Sequence, residues 1–268
     1  MQRVSISNIA WPQADEAEAL RLALQLGFAG IEIAPAKTFG SWADATPVRA
    51  ATYRRELAAM GLEVPAMQGI LFGLDDHRLF GTPEERMKLR AQLEKLARLA
   101  GALGARGCVF GGPRNRDPGD LPVGEAMARA VEFFAQVAPT FAAEGSALAF
   151  EANAAIYNCR FVQRTDEAIA LVERVGHPGL RLQLDTGTIF LNDEPRDVVA
   201  RAAPLAAHFH ASEPKLAPVG STGCDHAEIG RRLAATAYGG WRSVEMAIAP
   251  DWRGALRGAA AVMQAHYA

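Results

Sequence analysis

Four apolar runs in the second half of the sequence each end on a side chain that can bind a metal ion. The runs are ALAFE, ending at Glu151, RLQLD at Asp185, AAHFH at His210 and RSVE at Glu245. If they are strands of a parallel barrel, the side chains at their carboxyl ends meet at one mouth. Three carboxylates crowded together there would repel one another unless a cation neutralised them. The pattern therefore predicts a divalent metal site.

The chemistry of such a site follows from its ligand types. Oxygen-rich ligation with a single imidazole suits Mn²⁺, Mg²⁺ or Co²⁺, of which we expect one Mn²⁺ ion, better than a closed structural zinc site. Glu151 and Glu245 come from strands three apart and can flank a ligand bound between them. Such a pair can remove a proton from a carbon next to a carbonyl and return it.

The elements that must position these residues alternate along the whole chain. The predicted strands are Val4 to Ala10, Gly30 to Ala34, Glu63 to Gly69, Arg106 to Gly111, Ala147 to Glu151, Leu180 to Asp185, Ala206 to His210 and Ser243 to Glu245. The predicted helices are Asp15 to Leu26, Pro47 to Met60, Pro83 to Leu103, Gly124 to Ala143, Thr165 to Val175, Asp225 to Thr236 and Trp252 to His266.

Eight strand-and-helix units in 268 residues predict an α/β fold, a (β/α)8 TIM barrel, as one domain over residues 1–268. Such barrels commonly need about 250 residues. The alternative is a doubly wound open sheet, which a glycine-rich turn after the first strand would favour. That turn reads NIAWP and contains no glycine, so the barrel is the prediction.

Composition excludes several classes of partner. The 28 basic and 30 acidic residues give a net charge of −2, which provides no electrostatic footprint for nucleic acid. No segment approaches the roughly 20 apolar residues of a membrane span. The expected partner is instead a small molecule, and homo-oligomers are common enough that we expect one.

Cysteine usage and the first residues indicate the compartment. Cys108, Cys159 and Cys224 are odd in number and far apart, as expected in a reducing cytoplasm. The first eleven residues, MQRVSISNIAW, alternate like a strand and lack the apolar region and cleavage site of a signal peptide. We therefore expect a cytoplasmic protein.

Longer motifs around the four ligands resemble the xylose-isomerase-like barrel superfamily of sugar isomerases and epimerases, in particular its ketose 3-epimerase branch. They are FEANAAIYN, LQLDTGT, HFHASEP and YGGWRSVEM, and the likeness spans essentially the whole chain. The resemblance implies that Glu151, Asp185, His210 and Glu245 bind one divalent metal. It also implies that the two glutamates form the acid and base pair.

The resemblance further implies a reaction. A keto sugar would chelate the metal, one glutamate would take the carbon-bound proton to give an enediolate, and the other would reprotonate it from the opposite face. Delivery to the neighbouring carbon would give the isomerase variant. Ketose 3-epimerases have a histidine where this chain has Thr188 and an arginine where it has Leu216. These departures favour a modified sugar, such as a keto-glycoside or cyclitol ketone, with Lys215 and Arg160 as candidate replacement contacts.

Further candidates lie near the same strand ends. Asn153 and Tyr157 follow Glu151 closely, and Glu213 follows His210. The full set of predicted substrate-binding residues is Asn153, Tyr157, Glu213, His226, Gln68, Trp11 and Lys215. Glu32, a strand carboxylate that needs a partner, is expected either beside the metal ligands or in an internal salt bridge. His208 shares the inward face with His210, one layer deeper.

Three other functions remain open from the sequence. The first is a metal-dependent lyase or dehydratase acting on a cyclitol ketone or keto-glycoside, because it shares the proton abstraction. The second is a barrel that binds a sugar without catalysis. The third is a nuclease, because His226 resembles a metal ligand of the related apurinic endonucleases, but Thr188 and the acidic pI of about 6.3 disfavour it.

Overall fold

Eight parallel strands form the sheet in the computed structural model, which describes residues 3–268. They are β1 Val4–Ser7, β2 Gly30–Glu32, β3 Ala66–Met67, β4 Gly107–Phe110, β5 Ala147–Glu151, β6 Leu180–Asp185, β7 Ala206–Ser212 and β8 Arg242–Glu245. The strand order is β2-β1-β8-β7-β6-β5-β4-β3. Parallel bridges from Gly30 to Glu63 and from Ile33 to Met67 join the two ends of this order. The predicted barrel is confirmed.

Ten α-helices surround the strands within the described residues. They are α1 Glu16–Gln25, α2 Pro35–Phe39, α3 Pro47–Ala59, α4 Pro83–Leu103, α5 Val123–Ala143, α6 Thr165–Val175, α7 Thr186–Leu191, α8 Val198–Ala202, α9 His226–Ala234 and α10 Trp252–His266. Helix α4 begins and ends where the sequence predicts. Its capping box is present, because Thr82 Oγ1 accepts from Glu85 N while Glu85 Oε2 accepts from Thr82 N.

Several elements differ from prediction at their ends. Strand β1 stops at Ser7, whose Oγ accepts from Ile9 N as the chain turns into a short 3₁₀ helix. Strand β3 is only two residues long, because Pro65 lacks an N–H and Gly69 takes a left-handed φ of 58°. Strand β7 runs on to Ser212, which pairs with Glu245. Helices α2, α7 and α8 were not predicted, since five or six residues are too short to show a helical period.

The core lies between the barrel wall and the helices. Under the ends of β4 and β5, the rings of Phe110, Phe134 and Phe150 have centroids 5.3 to 5.6 Å apart. Aromatic contacts of this kind add to the stabilisation from burial. They give the two strand ends a rigid support. None of the helices in residues 3–268 combines the length and apolar character that crossing a bilayer requires.

Candidate active site

The four predicted ligands come together at the carboxyl-terminal mouth of the barrel. Each of Glu151, Asp185, His210 and Glu245 offers one ligand atom, and these atoms all lie within 4.8 Å of one another. His210 Nδ1 is 3.4 Å from Glu151 Oε1 and 3.1 Å from Glu245 Oε2. Asp185 and His210 are direct partners in the sheet, whereas Glu245 pairs with Ser212, two residues beyond His210.

Asp185 is oriented by the start of helix α7. Its Oδ2 accepts from Thr188 N at 2.7 Å, and its Oδ1 accepts from the hydroxyl of Ser212. Ser212 Oγ also accepts from Gly187 N at 2.8 Å. A Cβ at Gly187 would stand 2.8 Å from that oxygen, so the LQLDTGT motif needs glycine here for the close approach. The sequence reasoning missed Ser212, although period two from His210 places it on the inward face.

Glu151 is held from two sides at the end of β5. Its Oε2 accepts from Asn153 Nδ2 at 3.0 Å, and a Cβ at Gly111 would stand 2.3 Å from the same oxygen. Its other oxygen, Oε1, is buried and has no hydrogen-bond partner among the described residues. The carboxylate therefore presents one oxygen without a partner towards His210.

His210 is fully buried, and its imidazole is oriented by Glu32 of β2. Its Nε2 lies 3.0 and 3.1 Å from the two Glu32 oxygens, and Ser243 donates its hydroxyl to Glu32 at 2.8 Å. A proton on Nε2 leaves the Nδ1 lone pair free, and Nδ1 has no hydrogen-bond partner in residues 3–268. This carboxylate-histidine arrangement is the one that commonly orients a metal-binding imidazole. It favours the first of the two predictions for Glu32.

The charges of the site shift its ionisation equilibria. Burial raises the pKa of Glu245 to about 7, and the Glu151 and Asp185 charges act in the same direction, against the effect of His210. Burial and the Glu151 charge also raise the pKa of Asp185. Burial alone would lower the pKa of His210, but the charges of Glu32 and Glu245 outweigh it and raise that pKa well above its ordinary value. These shifts favour the protonated forms of Glu245 and Asp185, whereas a bound cation would favour the deprotonated ones.

The residues fit a divalent cation. His210 Nδ1 and Glu151 Oε1 are buried, lie 3.4 Å apart and have no hydrogen bond in the described part of the chain, so two acceptors would face each other whenever Nδ1 is deprotonated; a cation between them would remove this conflict. One imidazole with three carboxylates is a donor set typical of Mn²⁺, Mg²⁺ or Co²⁺.

The remaining predicted residues fall into two groups, of which the first comprises Tyr157, Gln68 and Lys215. Tyr157 is partly buried, its hydroxyl accepts from Lys215 N at 2.8 Å, and the charges of the three site carboxylates help burial to raise its pKa. Gln68 is buried at the end of β3 and donates to Ser7 Oγ at 2.8 Å. Lys215 itself is exposed and has a left-handed φ of 61°.

The second group comprises Glu213 and His226, whose side-chain polar atoms form hydrogen bonds with other residues of the protein. Glu213 is buried and accepts from Gly220 N at 2.6 Å and Thr222 N at 2.8 Å. His226 Nε2 lies 3.2 Å from Glu213, and its Nδ1 lies 2.8 Å from the hydroxyl of Tyr267. These bonds connect the loop after β7 to the start of α9 and to Tyr267, which follows the last helix.

Trp11 also forms hydrogen bonds within the protein. So do Thr188 and Leu216, the two positions at which this chain differs from the branch that its sequence resembles. The Trp11 side chain is wholly buried and donates from Nε1 to Glu16 at 2.6 Å, so a sugar would reach it only after a rearrangement. Thr188 is buried and donates to Ala152 O at 3.0 Å. Leu216 has a φ of 54°, and its carbonyl accepts from Ala247 N at 2.8 Å. Neither position offers a free polar group.

Comparison with known proteins places this geometry in context. A family model described as a xylose isomerase-like TIM barrel matches residues 20–266. No curated protein matches the sequence of the chain.

Solved structures share the fold over nearly the whole chain. D-psicose 3-epimerase from Clostridium cellulolyticum H10, solved with D-tagatose, has a TM-score of 0.82 and 18% identity, covering 99% of this chain and 98% of its own. The 3-keto-D-glucoside 4-epimerase from E. coli has a TM-score of 0.79 and 17% identity, covering 99% and 100%. An AP endonuclease of family 2 from Brucella melitensis has a TM-score of 0.75 and 19% identity, covering 96% and 97%. At these identities the likeness concerns the fold, so function must be argued from the site.

Proposed function

The chain belongs to the xylose isomerase-like TIM-barrel family, and from that premise we propose that it is a divalent-metal-dependent isomerase or epimerase of a carbohydrate ketone. One observation carries the proposal. Three carboxylates and the buried, unpartnered Nδ1 of His210 face a common centre at the mouth of the barrel. Active sites of this fold are built at that face.

Glu151, Asp185, His210 and Glu245 would hold the ion, which we expect to be Mn²⁺. When bound there, a divalent ion supplies Lewis-acid polarisation of a substrate carbonyl, which acidifies the adjacent C–H bond. Asp185 has both oxygens engaged by Thr188 and Ser212, so it cannot reorient freely. It is therefore suited to binding rather than to carrying protons.

Glu151 and Glu245 are suited to proton transfer. They lie on β5 and β8, with two strands between them, and both approach the same imidazole nitrogen. A substrate carbon held between them could lose its proton to one carboxylate and regain a proton from the other. Return to the opposite face of the same carbon inverts it, whereas return to the neighbouring carbon moves the carbonyl.

The polar groups at the mouth of the barrel favour one class of substrate, a substituted sugar ketone, over a free ketose. Thr188 and Leu216 offer no free polar group to grip the hydroxyls of a free ketose. A sugar ketone with a substituent, such as a keto-glycoside, needs fewer such contacts. The similarity of the fold to that of a 3-keto-glucoside epimerase is consistent with this preference. A nuclease is disfavoured because it would need His226 as a metal ligand. Both ring nitrogens of His226 already lie within hydrogen-bond distance of Glu213 and Tyr267.

The decisive experiment measures hydrogen exchange in D₂O. The protein is incubated with Mn²⁺ and a panel of free ketoses and 3-keto-glycosides, and ¹H NMR follows deuterium entering the carbon next to the carbonyl. We expect exchange and an epimerised or isomerised product, favouring the keto-glycosides. Glu245→Gln should abolish the exchange, whereas Glu84→Gln, an exposed residue on α4, should leave it unchanged.

Other results would redirect or overturn the proposal. Loss of water or of an aglycone would identify a lyase that uses the same proton abstraction. A protein that binds Mn²⁺ tightly but exchanges no ketone would contradict the enzymatic proposal. A protein whose thermal stability responds to neither Mn²⁺ nor chelator would point to a metal-independent, sugar-binding barrel.

We also propose a cytoplasmic location. Cys108, Cys159 and Cys224 are all free thiols, and the first two are buried. Burial raises the pKa of Cys108 to about 12, so this thiol is unreactive at neutral pH. Thiols retained in this way are typical of proteins from reducing compartments.

A further inference from the structure

A buried arginine lies directly beside the end of strand β5. Arg116 is the last residue of the 3₁₀ helix Arg114–Arg116, which follows β4, and its side chain is 0% exposed. Within residues 3–268, no carboxylate oxygen lies within 4.0 Å of its guanidinium, although other arginines in nearby loops form ion pairs, as Arg114 does with Asp75 at 3.7 Å. A buried charge without a counter-charge is costly and needs an explanation.

The guanidinium binds neutral acceptors at two strand ends. Nη1 donates to the carbonyl of Glu151 at 2.6 Å and to the carbonyl of Phe110 at 3.3 Å. Nη2 donates to Cys159 Sγ at 3.6 Å. The guanidinium carbon lies 4.7 Å from the ring centroid of Phe150, which is a cation-π distance. Arg116 therefore contacts both Glu151 and the residue immediately before it.

The sheet explains why this position needs an external donor. The pairing of β4 with β5 ends at Phe110 and Phe150, so Glu151 has no partner on β4. On its other side Glu151 still pairs with Gln183 of β6. The Glu151 carbonyl thus points to where a ladder bond would have continued, and the planar guanidinium bridges it to the last carbonyl of β4. Nη1 donates to both carbonyls while Nη2 donates to Cys159 Sγ, so one rigid planar group holds three acceptors in place.

We propose that Arg116 is a positioning residue that fixes the backbone of Glu151, and so sets the direction of its carboxylate towards His210. This inference rests on the proposed function of the site. Arg116 is buried and does not itself meet the substrate. Its effect passes through the main chain of Glu151, whose Oε2 is confined between Asn153 and Gly111. A small rotation of that main chain would move Oε1 away from the Nδ1 atom of His210, 3.4 Å away.

The test compares three variants. Arg116→Met keeps an unbranched apolar stem but removes the guanidinium, and with it the charge, every donor and the cation-π contact with Phe150. Arg116→Lys keeps the charge and one donor nitrogen but loses the second nitrogen, which donates to Cys159 Sγ, and the planar group over Phe150. Arg114→Met is the matched control, two residues away in the same 3₁₀ helix, where the side chain is 81% exposed.

Two measurements are made on each variant. The first is Co²⁺ binding by calorimetry and by the visible spectrum, which requires no substrate. We expect Arg116→Met to weaken Co²⁺ binding by about 10- to 100-fold, as loss of an outer-shell contact typically does. The second is kcat and KM for the exchange with the ketone that the wild type accepts. We expect kcat to fall by about 100-fold, because a misplaced catalytic group costs that much, with KM nearly unchanged.

The order of the variants in Co²⁺ affinity and kcat distinguishes a positioning role of Arg116 from a role in filling space. We expect wild type, Arg116→Lys and Arg116→Met to decrease in that order in both Co²⁺ affinity and kcat, with Arg114→Met equal to wild type. Arg116→Met equal to or better than Arg116→Lys would overturn the inference, since an apolar filler would then suffice. If Arg116→Met does not fold, Arg116→Lys against wild type decides, and an unchanged Co²⁺ affinity and kcat would reject the role.

Failure of the proposed function gives a different result. A wild type that binds Co²⁺ but exchanges no ketone would reject the reaction, while the Co²⁺ affinities of the variants would still decide the role of Arg116. A wild type that binds no Co²⁺ would overturn both.

Discussion

Glu32 orients the imidazole of His210 through Nε2, the ring nitrogen opposite the site, with its carboxylate oxygens 3.0 and 3.1 Å away. Both side chains are completely buried, and they come from β7 and β2, which are far apart in the strand order. Burial by itself would raise the pKa of Glu32, but the charges and hydrogen bonds of His210 and His208 outweigh it and leave that pKa lowered. Glu32 is therefore ionised and holds the ring with Nδ1 facing the mouth.

Replacing Glu32 should weaken metal binding without removing a ligand. Glu32→Gln keeps the volume and one acceptor but removes the charge that fixes the proton on Nε2. We expect Mn²⁺ or Co²⁺ affinity, measured by calorimetry, to fall by about 10- to 100-fold. Glu63→Gln, at an exposed residue beside the same strand, serves as the control and should bind like wild type. An unchanged metal affinity in Glu32→Gln would show that the His210 imidazole needs no carboxylate beside Nε2.

The carboxylate cluster should make the metal-free protein less stable as pH rises. In the folded state the pKa of Glu245 is raised to about 7, against an ordinary value of 4.5. The folded state thus binds more protons than the unfolded chain between these values, so the free energy of unfolding falls as pH increases through this window. Asp185, whose pKa is also raised, acts in the same direction.

Thermal unfolding can measure this dependence. Between pH 5 and pH 7.5 we expect Tm of the metal-free wild type to fall by a few degrees relative to Glu245→Gln, which cannot ionise. Added Mn²⁺ should raise Tm of the wild type more at the higher pH, because it binds the deprotonated carboxylates. Parallel Tm curves for the two proteins would contradict the raised pKa of Glu245.

The clustering of the four side chains could be predicted from the sequence, whereas the contacts that hold them in place could not. Glu151, Asp185 and His210 each terminate an apolar run, and in a parallel barrel this alone brings strand ends together. Arg116 and Gly111 carry no such signal. Their importance depends on the path of the loop after β4, which is decided by tertiary contacts with β5.

Proximity in sequence was informative about the location of residues but not about their contacts. Glu213 is three residues from His210, and its carboxylate binds the backbone of the returning loop at Gly220 and Thr222. Loop closure of this kind leaves no periodic pattern in the sequence. The contact between Glu32 and His210 could not be predicted from the sequence either, because their strands, β2 and β7, come together only in the folded barrel.

Gly111 should be essential for the position of the Glu151 carboxylate. A Cβ there would stand 2.3 Å from Glu151 Oε2, so Gly111→Ala must displace the side chain or the strand end. We expect the exchange rate to fall by about 100-fold and metal affinity to drop with it. Gly124→Ala in α5, where a Cβ meets nothing within 4 Å, is the control and should be unaffected. Wild-type exchange in Gly111→Ala would show that Glu151 tolerates another position.

Tyr157 should contribute to substrate binding rather than to proton transfer. Its hydroxyl accepts from Lys215 N at 2.8 Å, which leaves the O–H proton free to donate to a substrate oxygen beside the three carboxylates. Tyr157→Phe removes one hydrogen bond to the substrate, worth about 0.5 to 1.5 kcal/mol, so KM should rise by roughly two- to tenfold with kcat nearly constant. Tyr53→Phe is the control, because that hydroxyl bonds Glu16. A large fall in kcat for Tyr157→Phe, with KM unchanged, would instead make the phenol part of the proton-transfer machinery.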